Sequence, residues 1–142
     1  MKNGTIEKKV EIKAAEPILP DGIIKETFPS GKVSAEVPFV KGVREGAGKM
    51  FYESGKLYAE ETYKGGKLNG PTVTYYETGK VQAELNYADG LLDGVCKEYY
   101  PGGTLESEIA YKGGKKNGPS TIYKEDGTVE KTVTYKDDKP AV

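Results

Sequence analysis

Apolar and polar residues alternate from Val81 to Tyr87: Val81, Ala83, Leu85 and Tyr87 fall on one side, Gln82, Glu84 and Asn86 on the other. That is the period of a half-buried β-strand. Just upstream, TVTYYE (Thr72–Glu77) is rich in β-branched and aromatic residues, a second strand signature. No helical period is sustained anywhere. Between the two strands lies Thr78-Gly79, so the segment predicts a β-hairpin, and the chain is built from copies of it. A shift of 24 residues superimposes Gly22, Gly46, Gly70, Gly94 and Gly118, and also Gly31, Gly55, Gly79, Gly103 and Gly127. Five units follow, at 22–45, 46–69, 70–93, 94–117 and 118–141, within one repeat domain spanning 1–142.

Asn3–Lys13 (NGTIEKKVEIK) copies the second half of the last unit, DGTVEKTVTYK at Asp126–Lys136, so the array opens with a half-unit at 3–13. An irregular connection at 14–21, marked by Pro17 and Pro20, follows it. Ser30-Gly31, Ser54-Gly55 and their equivalents read as two-residue hairpin turns. A second turn cluster, GGKLNG at Gly65–Gly70 and its copies, returns the chain to the next hairpin. The predicted fold is all-β: an antiparallel meander of about ten to twelve short strands, advancing about 9–10 Å per hairpin and twisting as a single sheet.

A two-residue turn places Lys25 opposite Glu36, Lys49 opposite Glu60 and Lys97 opposite Glu108; a three-residue bulged turn shifts the pairing by one. In the first register one face collects Phe28, Tyr52, Tyr76 and Tyr100 with Phe39, Tyr63, Tyr87, Tyr111 and Tyr135. Val33, Leu57, Val81, Leu105 and Val129 lie between them, and this stripe is the expected core. The opposite face carries a thinner row, Phe51, Tyr75, Tyr99 and Tyr123, amid lysines and glutamates. Of the 14 aromatic residues only Tyr58 lies outside these columns.

Composition narrows the function classes. A formal charge of −1 from 21 basic and 22 acidic residues gives no reason to seek nucleic acid or an anionic membrane, and neither is expected as a partner. One cysteine and no histidine leave no disulfide framework, no soft-ligand metal site and no imidazole to activate a nucleophile. Neither a bilayer-spanning run nor a signal-peptide core is visible, so the sequence as written reads as cytoplasmic; it reads as periplasmic or secreted if an N-terminal signal has been removed.

The candidate chemistry is correspondingly thin. The glycine-rich loops lack the order of a phosphate-binding loop, and Glu36, Glu60, Glu84 and Glu108 form a periodic row that reads as a solvated face. Glu125-Asp126 and Asp137-Asp138 match no calcium loop, and Asn3-Gly4-Thr5 is an isolated sequon match. Cys96 shares a column with Ile24, Gly48, Thr72 and Ser120 and reads as a small filler. No catalytic residue, cofactor or metal is expected. The row Phe51, Tyr75, Tyr99 and Tyr123 remains as the candidate partner-binding site, because exposed aromatic rings in register along an array can hold a partner.

The unit resembles a MORN repeat, and more closely the bacterial variant written G-x-x-x-x-Y-Y-x-x-G-K-L-x-x-E-x-x-Y-x-x-G. Gly94–Asn117, GVCKEYYPGGTLESEIAYKGGKKN, carries that pattern, as do the units from Gly46 and Gly70. The outer units depart from it, with Phe28 and Phe39 in the first and Lys124 and Asp138 in the last. The resemblance implies a hairpin array used for protein association, and the bacterial variants include antitoxins. The expected function is a non-enzymatic scaffold binding another protein, antitoxin-like or immunity-like; a glycan- or envelope-binding module and a lipid-associated accessory protein are the alternatives. Glu7, Lys8 and Lys9 at one end and Asp137, Asp138, Lys139 and Pro140 at the other guard the open sheet edges. A monomer is expected, with a side-by-side dimer left open.

Overall fold

The computed structural model describes residues 21–141, and the half-unit expected at 3–13 lies outside them, as does all but Asp21 of the connection at 14–21. The described residues form one antiparallel sheet of 14 strands. In chain order these are β1 (Gly22–Thr27), β2 (Val33–Val40), β3 (Val43–Arg44), β4 (Gly46–Phe51), β5 (Leu57–Lys64), β6 (Lys67–Leu68) and β7 (Gly70–Tyr75). They continue with β8 (Val81–Ala88), β9 (Leu91–Leu92), β10 (Gly94–Tyr99), β11 (Leu105–Lys112), β12 (Lys115–Tyr123), β13 (Val129–Lys136) and β14 (Lys139–Pro140). The strands lie in sequence order across the sheet, β1-β2-β4-β5-β7-β8-β10-β11-β12-β13-β14, with the short β3, β6 and β9 paired to β2, β5 and β8, the topology of an open meander.

The strand count exceeds the expected ten to twelve because most returning strands are broken in two. β3 pairs with β2 through Val40↔Val43, whereas β4 pairs with the same strand through Glu36↔Lys49. The slip falls at Gly46, where φ is +106°, a conformation that costs glycine little and other residues much. Among the described residues, only the return into the last unit runs unbroken, as β12.

The turns differ from expectation in an instructive way. Ser30-Gly31 and its equivalents are not two-residue loops: Gly31 N–H donates to Phe28 O and Phe28 N–H to Lys32 O, both at 2.8 Å, which closes a three-residue turn over Pro29-Ser30-Gly31. Gly31 takes positive φ and Ser30 does not. The two-residue turns with positive φ at both positions belong instead to the second cluster, at Lys41-Gly42, Gly65-Gly66, Asp89-Gly90, Gly113-Gly114 and Asp137-Asp138. A three-residue turn alone would have shifted the pairing by one. A bulge just beyond it, where Thr27↔Val33 gives way to Glu26↔Ala35, shifts it back. Lys25 therefore does face Glu36, Lys49 faces Glu60, and Lys97 faces Glu108.

The bulge also corrects the core. Ser34, Tyr58, Gln82, Glu106 and Glu130 are the extra residues, and each turns the residue before it to the other face. Val33, Leu57, Val81, Leu105 and Val129 thus leave the expected core stripe and join the row of Phe51, Tyr75, Tyr99 and Tyr123; Tyr75 pairs directly with Val81 and Tyr99 with Leu105. Small residues take over the core face. Ala35, Ala59, Ala83 and Ser107, with Thr72, Cys96 and Ser120, are buried there, on the face shared by Phe39, Tyr63, Tyr87 and Tyr111. Ala35, Val37 and Tyr63 form a buried cluster, with Phe39, Met50 and Leu68 packed against them.

Candidate binding face

The outer face is assembled from strand ends. Tyr75 closes β7, Tyr99 closes β10 and Tyr123 closes β12, so each ring stands beside the strand of the preceding hairpin. There each hydroxyl finds a carboxylate: Tyr75 donates to Glu60 Oε1 at 2.7 Å, Tyr99 to Glu84 Oε1 at 2.5 Å and Tyr123 to Glu108 Oε1 at 2.7 Å. Phe51, which has no hydroxyl, borders instead an open groove with Val33 and Glu36. An equivalent groove brings Tyr99 together with Val81 and Glu84. The row therefore has the apolar companions that the alternation alone did not give it.

A second set of tyrosines fixes the row from behind. Tyr52 O–H donates to Tyr75 O at 2.6 Å, Tyr76 to Tyr99 O at 2.5 Å and Tyr100 to Tyr123 O at 2.6 Å. Each turn tyrosine thus holds the backbone of the next unit's outer-face tyrosine, which limits how far neighbouring hairpins can shift. Tyr58, outside every column, packs edge-on against Tyr52 with ring centroids 5.1 Å apart.

The hydrogen bonds shape the electrostatics. Donation to Glu84, and then burial, pushes the Tyr99 phenol up to about 12; the bonds to Glu60 and Glu108 raise Tyr75 and Tyr123 in the same sense. A neutral hydroxyl donating to a carboxylate keeps its proton because losing it would set two negative charges side by side. Ion pairs contribute little here: Lys25–Glu36 at 3.8 Å and Lys97–Glu108 at 3.9 Å are the two among the described residues, both partly exposed.

The core face offers less to a partner. Tyr63 is buried, its hydroxyl bonded to Glu61 Oε1 at 2.5 Å and Arg44 lying 5.4 Å from its ring centre. Burial, with that bond, pushes its phenol up to about 12. Cys96 is buried in its column of small residues and burial raises its thiol, which withdraws it from thiolate chemistry. Among the described residues no group of three His, Cys, Asp or Glu side chains is placed to hold a metal ion.

An open single sheet of hairpins tied side by side defines a β-hairpin repeat scaffold. The family described as MORN repeat variant matches residues 44–64, 68–89, 92–112 and 116–137, together more than half of the chain, and the protein belongs to that family. No curated protein matches the chain. Proteins built of these repeats are generally non-enzymatic scaffolds.

Proposed function

We propose that the protein is a non-enzymatic scaffold that binds another protein along the outer face, with Phe51, Tyr75, Tyr99 and Tyr123 as the contact row. The observation that carries this is the repeated unit of ring, apolar neighbour and carboxylate, seen as Phe51 with Val33 and Glu36 and again as Tyr99 with Val81 and Glu84, each beside an open groove. Partly exposed rings in fixed positions lose little entropy on contact, which suits them to anchor a partner. The finer form of the proposal is an antitoxin-like or immunity-like protein that holds one cognate protein, suggested by the resemblance of the units to bacterial variants that include antitoxins.

Affinity capture with tagged protein, beside a Tyr75→Ser/Tyr99→Ser/Tyr123→Ser variant and read by mass spectrometry, tests it. One protein recovered near stoichiometry and lost with a folded variant supports the proposal. Recovery of that protein undiminished by the variant contradicts it.

A further inference from the structure

Across the outer face, Lys25, Glu36, Lys49, Glu60, Val73, Glu84, Lys97 and Glu108 stand in register on successive strands. From Lys25 to Glu108 cation and carboxylate alternate except at Val73; beyond Glu108 the row runs on through the uncharged Thr121 and Thr132, so Val73 is the neutral position with a carboxylate on each side. Val73 occupies the position that Lys49 and Lys97 hold in the flanking units, so Glu60 and Glu84 face one another across a neutral side chain. The existing cations do not cover the gap: Lys97 is paired with Glu108, on its far side, and neither Glu60 nor Glu84 is in an ion pair among the described residues. Tyr75 and Tyr99 each occupy only one oxygen of these carboxylates.

The gap adjoins a groove of about 350 Å³ bordered by Pro71, Val73, Val95, Glu84 and Asn86, with Lys97, already paired with Glu108, at its edge. Val95 is 48% exposed, so the groove holds apolar surface beside the Glu84 carboxylate, and Glu60 stands on the other side of Val73. Two carboxylates two strands apart are separated by about 9–10 Å at ordinary sheet spacing, and a cation centred over Val73 lies between them. Its charge suits both, and a methylene stem beneath it suits the valines and the proline. A bare ion would leave that apolar surface unused.

We propose that the Val73 gap receives one basic side chain, arginine or lysine, carried by an extended segment of the partner protein, which completes the alternating charge row. The site rests on the outer face being the partner surface and names the chemistry of what docks there. Fluorescence anisotropy with a short labelled peptide of alternating valine and threonine tests it, one version carrying a central arginine and the other citrulline at the same place. The arginine peptide should bind the native chain and lose affinity as salt rises. The citrulline peptide should bind about tenfold more weakly, and Val73→Lys and Glu60→Gln/Glu84→Gln should each weaken arginine-peptide binding by about tenfold, a change of about 1.4 kcal/mol. Val73→Lys rebuilds the arrangement of the neighbouring units, so its thermal transition, followed by circular dichroism, should match that of the native chain. Absence of binding, equal binding of the two peptides, or undiminished binding by folded Val73→Lys would overturn the proposal. Arginine-peptide binding that needs Tyr75 and Tyr99 but ignores Val73→Lys would overturn the gap alone and leave the face standing.

Discussion

Tyr99 donates its hydroxyl hydrogen to Glu84 across the seam between two hairpins, from 15 residues further along the chain. The same bond joins Tyr75 to Glu60 and Tyr123 to Glu108, so three seams are closed by side chains as well as by backbone. Changing all three tyrosines to Phe keeps the rings and removes the bonds. At about 0.5–1 kcal/mol for each partly exposed bond, the triple variant should lose about 2 kcal/mol, read as a lower urea midpoint at unchanged slope. An unchanged midpoint would show that water replaces these bonds without loss.

Alkali should act on two tyrosine phenols, one on each face. The phenols of Tyr63 and Tyr99 are held up to about 12, against an ordinary 10.0. Between those values the folded chain keeps protons that the unfolded chain releases, so this stabilisation is fully present below pH 10 and is lost as pH rises through 12. Urea midpoints taken at about pH 9 and about pH 11 should fall, and fall less in Tyr63→Phe/Tyr99→Phe. A native chain and variant with the same dependence would contradict the assignment.

Gly70 marks a strand slip with φ +114°, and Thr62 Cγ2 lies 3.3 Å from where a Cβ would stand. Gly79 has a comparable φ of +94° but open space around it. Both Ala variants meet backbone strain of about 1–3 kcal/mol, and Gly70→Ala adds a contact. Gly70→Ala should therefore melt lower than Gly79→Ala; the reverse order would place the close approach elsewhere.

Cys96, buried and with its thiol raised by burial, should react with a disulfide reagent only at the rate of opening. Thiol release followed in native buffer and in urea measures this. Because Gly48, Thr72 and Ser120 fill the same column, Cys96→Thr should fold with a transition close to native. Fast native-state labelling would show that the column is open.

The repeat made much of this legible. Glycines at 24-residue spacing gave the hairpins, and the Lys–Glu pairs gave the register of strand bodies, because both depend on side chains that recur. The bulge was silent. Ser34, Tyr58, Gln82, Glu106 and Glu130 share no single side-chain type that marks a bulge, since an extra residue in a strand is accommodated by backbone geometry. That is why strict alternation puts Val33 and Val81 on the core face and leaves the aromatic row without its apolar neighbours. The gap at Val73 takes its meaning from the strand pairing, which sets Glu60 and Glu84 on either side of it.

The central claim is that the outer face, and not the core face, meets the partner. Capture with two variants side by side tests it most directly: Tyr75→Ser/Tyr99→Ser/Tyr123→Ser on the outer face, and Glu26→Lys/Glu98→Lys at exposed positions of the core face, both first shown to be folded. The account predicts that the captured protein disappears with the first variant and is retained in full by the second. Retention with the tyrosine variant and loss with the charge-reversed one would contradict it and move the binding surface to the other side of the sheet.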